Sequence, residues 1–421
     1  MKLTGNDNSS NKRDVMRNWL EALRQAWGRG AAPEVKRSAT GPLIALHISG
    51  RPVWTPRNYQ ALAREGFSGN AVGYRCVRMI AESAASIPWL LYEGEAEISD
   101  HPLLDLLTRP NPGMSGQTMF ETFYGHLQVA GNAYLEAVSM AGTVRELHVL
   151  RPDRMKVVPG KDGWPEAYEY CANGATVRFE QQSGEAVSPI LHLRLFNPTD
   201  DHYGLSPLEA AAASIDIHNS AAAWTKALLD NAARPSGALV YTGTGGEGNL
   251  SEDQFERLKR ELEESYQGKA NAGRPLVLEG GLDWKPLSMS PKDMEHIEAK
   301  HEAAREIALA FGVPPMLLGI PGDNTFANYA EANRTFWRQA VLPLVARTAE
   351  ALSQWLGAGF GEELQLGFDV DRIEALSQER EALWARIERS RFLTLNEKRA
   401  AVGYGPVPGG DRLGVSGASA S

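Results

Sequence analysis

The feature that most constrains this chain is a run of small side chains. Residues 208–233 hold ten alanines between Ser206-Pro207 and Arg234-Pro235, which predicts one long helix opened by a capped proline. Alanines let such a helix lie close against a neighbour. A second helix opens at Ser290, which can cap it, with Pro291 in the first turn and Asp293 completing a capping box. Met294, Ile297, His301, Ala304, Ala308 and Phe311 make one apolar seam along it, and Gly312 and Pro314-Pro315 stop it. Between the two lies a small α/β insert: a strand at 238–241, a glycine-rich loop, a charged helix at 252–267, and strands at 276–279 and 282–286. It is too small to be an enzyme domain of its own. A loop rich in Leu, Gly and Asp (316–324) then leads into a very long helix from 326 to 355, about 45 Å at 1.5 Å per residue. Phe336, Trp337, Ala340, Val341, Leu344, Val345, Thr348 and Leu352 are its buried stripe, and Pro343 predicts a kink.

Upstream, helical periodicity covers 72–85, 101–109 and 115–130, with a short strand at 89–92 after Ile87-Pro88 and a helix stop at Gly131. From 133 to 196 the period switches to two. Strands are expected at 133–138, 146–150, 155–158, 167–171, 175–179 and 190–196, with Asn173-Gly174 as a hairpin turn. Downstream of Gly357 come a strand at 364–368, a charged helix at 373–389 and a last helix at 396–402. The class is α+β, in several modules rather than one core.

Charge narrows the function. Across 421 residues, 43 basic and 52 acidic side chains give a net charge of −9, the opposite of a protein that lives by gripping phosphates. Residues 1–40 are the exception, with eight Lys/Arg against four acids, and 13–27 could form an amphipathic helix through Val15, Trp19, Leu23 and Trp27. Cys76 and Cys171 form no framework and no CxxC, apolar stretches are too short to span a membrane, and the N-terminus lacks the apolar core of a signal peptide.

Reactive motifs are weak. Gly243-Thr244-Gly245-Gly246-Glu247-Gly248 matches GxGxxG, but the following helix starts at Ser251, past the glycines, and carries Glu252 and Asp253 in its first turn. That opposes a phosphate cradle, and with it the alternative of a nucleotide-binding enzyme. His296 and His301 are five apart, which suits no helical metal pair. Asp369-Val370-Asp371 sits where Asp caps a helix. No GxSxG, Walker A or HExxH occurs, so no catalytic residue, cofactor or metal is assigned. The stripe Phe255, Leu258, Leu262 and Tyr266 on the acidic helix suits a small sheet or a docking partner.

Six stretches in order then resemble the HK97-type portal proteins of tailed phages and gene transfer agents. They are His101-Pro-Leu-Leu-Asp-Leu-Leu with Arg109-Pro-Asn-Pro112, Gly131-Asn-Ala-Tyr-Leu-Glu136, Tyr203-Gly-Leu-Ser-Pro-Leu208, Phe311-Gly-Val-Pro-Pro-Met-Leu-Leu-Gly319, Asn324 to Trp337, and Asn396-Glu-Lys-Arg399 with Gly403 to Asp411. The resemblance implies a portal fold: a basic arm (1–60), a β-rich wing (61–203), stem helices (204–235 and 290–312), a clip (236–289), a tunnel loop (313–325), a long kinked helix (326–357) and a crown (358–421). It implies a dodecameric ring at one capsid vertex, through which the large terminase subunit pumps duplex DNA. Head-tail adaptor proteins and the major capsid protein are the other implied partners. In that reading Met316, Leu317, Leu318, Gly319, Ile320, Asp323 and Asn324 face the channel. Glu252, Phe255, Glu256, Lys259 and Glu263 dock the terminase or adaptors. Ala211, Ala212, Ala222, Ile297, His301 and Ala304 pack the ring, so Ala212→Trp should block it. The alternatives are a nucleotide-binding enzyme that uses the Gly243–Gly248 loop and a non-ring adaptor of the same particle.

Overall fold

The computed structural model describes residues 54–413 apart from 95, 182–186, 231–236, 242–251, 254, 258–259, 261–281, 287–291, 322–325, 361–363 and 403. The expected helix at 13–27, the strand at 276–279, the Gly243–Gly248 loop and the Ser290 cap lie outside the described residues. The chain divides into two compact units, the smaller built on residues 236–267 and 271–287.

Asn58 caps α1 (Tyr59–Leu62), which continues into a π-helical turn, Ala63–Ser68. Asn70 caps α2 (Ala71–Ala85) by accepting from Val72 and Gly73 N–H, each at 3.0 Å. Strands β1 (Trp89–Glu93) and β2 (Ala96–Ile98) follow, then α3 (Pro102–Thr108) and α4 (Gly116–Ala130), which Ser115 caps and Gly131 ends at φ 71°. Strands β3 (Asn132–Met140), β4 (Thr143–Leu150) and β8 (Ile190–Arg194) form one antiparallel sheet, in the order β4-β3-β8. Strands β5 (Met155–Pro159), β6 (Pro165–Ala172) and β7 (Ala175–Glu180) form another. The turn at Asn173-Gly174 holds both residues at positive φ, as the hairpin reading requires, and Ala141-Gly142 does the same between β3 and β4.

The alanine-rich run is not one helix. It breaks at Ala211, at φ −88° and ψ 4°, into α5 (Pro207–Ala210) and α6 (Ala212–Asp230). In the smaller unit, β9 (Gly237–Tyr241) pairs antiparallel with β10 (Leu282–Pro286). Back in the larger unit, α7 (Lys292–Ala310) lies antiparallel to α6: Ser214 near one start meets Glu306 near the other end at 2.5 Å.

The long helix is in three parts: α8 (Phe326–Phe336), a π segment Trp337–Val341, and α9 (Leu342–Phe360). The irregularity expected at Pro343 lies just before it. Proline offers no N–H and crowds the carbonyl one turn earlier, and the ladder widens there so that Leu342 N–H reaches Trp337 O. Strand β11 (Leu364–Phe368) then returns to pair with β1. Beyond two 3₁₀ turns come α10 (Ser377–Glu388) and α11 (Leu395–Ala401), the latter opened by a Thr394/Glu397 capping box.

Strand alternation divides the interior. Ala133, Leu135 and Ala137 of β3 join the main core with Phe123, Leu127, Phe336, Val345 and Leu352. Tyr134, between them, faces a second core with Met155, Val157 and Tyr168.

Candidate channel turn and interaction surfaces

Helix α7 ends in a Schellman turn. Gly312 takes φ 67°, its N–H reaches Leu309 O at 3.0 Å, and Val313 N–H reaches Ala308 O at 2.9 Å. A 3₁₀ turn, Pro315–Leu318, ends the same way: Gly319 takes φ 72° and Ile320 N–H reaches Pro315 O at 3.3 Å. Val313 and Ile320, the residues after each glycine, are buried, and Leu317 and Leu318 pack against the main core. The expected tunnel loop is therefore a fixed apolar turn through Ile320. Met316 is half-buried, Gly319 is exposed, and Asp323 and Asn324 lie outside the described residues. Arg305 pins the exit: its guanidinium donates to Pro321 O and to Glu302 Oε1, each at 2.6 Å. Its place in the sequence, two turns before the Gly312 stop and three residues after Glu302, reads as an ordinary cation on a helix surface, which is why the pattern did not reveal it.

The motif stretches are joints. Asn132 Oδ1 accepts from Gly204 N–H at 2.8 Å and lies 2.9 Å from His192 Nε2, while Asn132 Nδ2 donates to Ala130 O. The stretches 131–136 and 203–208 thus meet, and a Cβ on Gly204 would lie 2.1 Å from Gly131 O. Tyr203 Oη accepts from Val157 N–H at 2.9 Å. Asn111 Nδ2 donates to Leu147 O, and Leu147 N–H donates to Pro110 O, each at 2.8 Å. Asn396 Oδ1 accepts from Val407 N–H and Asn396 Nδ2 donates to Asp411 Oδ1. Polar side chains at these turns satisfy buried backbone groups.

A model of the phage portal protein family matches residues 71–403. The chain belongs to that family. A solved structure, the neck of a native gene transfer agent particle computed with C12 symmetry, contains a chain 53% identical to it. The match covers 88% of this chain and all of that one, with a TM-score of 0.66. An uncharacterized protein of Rickettsia bellii is 42% identical over 351 residues, 83% of this chain and 90% of that one. The portal protein of Enterobacteria phage HK97 is 27% identical over 352 residues, 80% and 79% of the two chains. As a member of the portal family, the protein is a structural component rather than an enzyme.

Within this portal-family subunit the six expected ring-packing residues separate. Ala211, Ala212 and Ala304 are 4%, 6% and 5% exposed, so they pack inside the subunit. Ala222 and His301 are half-buried and Ile297 is 59% exposed. A tryptophan at 212 would disrupt the subunit core, so Ala212→Trp reports on folding and not on assembly. Of the expected clip residues, Glu252, Phe255 and Glu256 are helical and exposed, and Lys259 and Glu263 lie outside the described residues.

Asp369 is a cap, as the sequence suggests: its side chain accepts from Asp371 N–H at 2.9 Å. Asp371 in turn holds Arg380 at 3.0 Å and accepts from Tyr404 Oη at 3.3 Å. Between β3 and β8, His192 stacks on Tyr134 at 4.3 Å, and burial, with Arg194 adding to it, pushes its pKa down to about 3. Burial and then Arg151 push His126 down to about 4. Burial raises Tyr134 well above its ordinary value.

Proposed function

We propose that the protein is the portal of a tailed-phage or gene transfer agent particle: a closed ring of twelve copies at one capsid vertex. In this reading duplex DNA is packaged through the ring by a terminase and later leaves through it, and the clip is the platform for head-tail joining. The supporting observation is the 53% identity, over the whole of that chain, to a component of a gene transfer agent neck computed with C12 symmetry. A ring of this kind is heterologous and closes by rotation. The stretch Val313–Ala327 contains Asp323 and no Lys or Arg, so it offers phosphates no cationic partner. Each neutralised phosphate would add affinity and hold the DNA in place.

The experiment is particle size and shape. Light scattering on the purified protein should give about 550 kDa, twelve times the 45.9 kDa chain, with rings in negative stain. A monomer under all conditions would overturn the reading. For the channel, a deletion of 317–324 would take Leu317 and Leu318 out of the core, so Asp323→Lys with Asn324→Lys is the cleaner variant. Rings should form normally, and particles should package less DNA, because the added lysines would hold the duplex against translocation. Unchanged DNA content would overturn the channel role of this segment.

A further inference from the structure

The turn between α10 and α11 concentrates cations on a chain of net charge −9. From 386 to 399 it carries Arg386, Arg389, Arg391, Lys398 and Arg399 against Glu388 and Glu397. The fold keeps them together: Arg389 is the C-cap of α10, and Lys398 Nζ reaches back to the Glu388 carbonyl at 3.2 Å. Three of the seven charges have internal duties. Glu397 accepts from Thr394 N–H at 2.7 Å, Lys398 holds the carbonyl just named, and Arg399 donates to Gly405 O at 2.7 Å beneath the Tyr404 ring. Arg386, Arg389 and Arg391 are exposed, and among the described residues none of them holds a carboxylate. Phe392, beside them, is 77% exposed.

Helix-end electrostatics accounts for Arg386 and Arg389, which sit where the α10 dipole favours cations. It does not account for Arg391, which lies past the helix, or for a large aromatic ring left in water. Exposed guanidinium groups on the outside of a tight turn suit a charged rod. An acidic amphipathic partner would instead use the groove of about 760 Å³ that Leu342, Leu376 and Leu383 line together with Arg338, Arg380 and Asp371; of the three exposed arginines only Arg386 borders it, and Arg389, Arg391 and Phe392 do not.

We propose that the α10–α11 turn is a binding site for the phosphate backbone of duplex DNA, with Arg386, Arg389 and Arg391 on phosphates and Phe392 against the sugars or a base step. Planar guanidinium forks match phosphate oxygens, and each neutralised phosphate releases counterions. Apolar side chains flanked by cations wedge at base steps in the same way. The site is separate from the channel turn and lies within one subunit, so it stands whether or not the ring reading does.

The test is fluorescence anisotropy of a short labelled duplex with the full chain, from about 50 to 200 mM salt. Arg386→Glu/Arg389→Glu/Arg391→Glu should weaken binding at least tenfold at the lower salt and reduce the salt slope by about 2.7, or 0.9 per phosphate lost. Arg391→Gln alone, outside both helices, should reduce the slope by about 0.9, which keeps the test valid if the triple variant misfolds. Arg64→Glu, at a side chain 82% exposed elsewhere, should change neither. Three results would overturn the proposal: no wild-type binding at the lower salt, an unchanged triple variant, or polyglutamate displacing the duplex more effectively than unlabelled DNA.

Discussion

Two turns of this protein follow the ends of two helices, and they are built in opposite ways. After α7, the chain from Gly312 to Ile320 turns its apolar residues inward, closes two backbone caps on glycine and is pinned by Arg305. After α10, the chain from Arg389 to Leu395 turns outward, leaving Arg389, Arg391 and Phe392 in solvent. The first turn is held by burial and backbone geometry, and substitutions there should be felt by the whole fold. The second is held by local caps, and substitutions there should be felt only by a ligand.

Substitutions can break that contrast, and the largest effect should come from Phe311, the residue that leads into the inward turn. Phe311→Ala empties a site 5% exposed in the main core and should cost about 3–5 kcal/mol in denaturant unfolding. Acid should come next, and it should act on neither turn. His126 of α4 and His192 of β8 are buried and held neutral, with pKa values of about 4 and about 3, below the ordinary 6.5. The unfolded chain therefore binds protons first, and stability that is complete above pH 6.5 should fall as the pH drops through 4. Thermal unfolding across that range should show the loss, and His126→Gln should reduce it. Gly312→Val forces a β-branched residue to φ 67° and should cost about 1–2 kcal/mol. Arg305→Ala removes the bond to Pro321 O and should cost about 1 kcal/mol, read as faster hydrogen exchange at the turn. Arg391→Ala should lie within about 0.5 kcal/mol of wild type in the same unfolding assay. A large loss there would mean that the outward turn is structural after all, and the contrast would fail.

Much of the framework was legible in the residues. Period-two alternation located β3 to β8, Asn173-Gly174 located a hairpin, and Gly312 located the end of α7, because each depends on chemistry within a few residues. The break at Ala211 was not legible. Nothing in a run of alanines marks one as special, and Leu208 and Ile215, on either side of the break, both come to lie buried against Gly66, a segment about 140 residues earlier. The pairing of β1 with β11 joins positions more than 270 residues apart and has no local signature. For the candidate site, the sequence indicated the apolar character of residues 313–320 but not that they are packed down. It indicated small residues along α6 and α7 but not that Ala211, Ala212 and Ala304 are buried within the subunit.

The amino-acid order alone determined the family, the kinds of element and most of their ends, since caps, prolines, glycines and periodicity act over one or two turns of chain. Only the tertiary structure decided which faces are covered, which charges are spent on internal bonds and which are left in water. Burial and ion pairing depend on what distant segments bring alongside, and no local pattern records that.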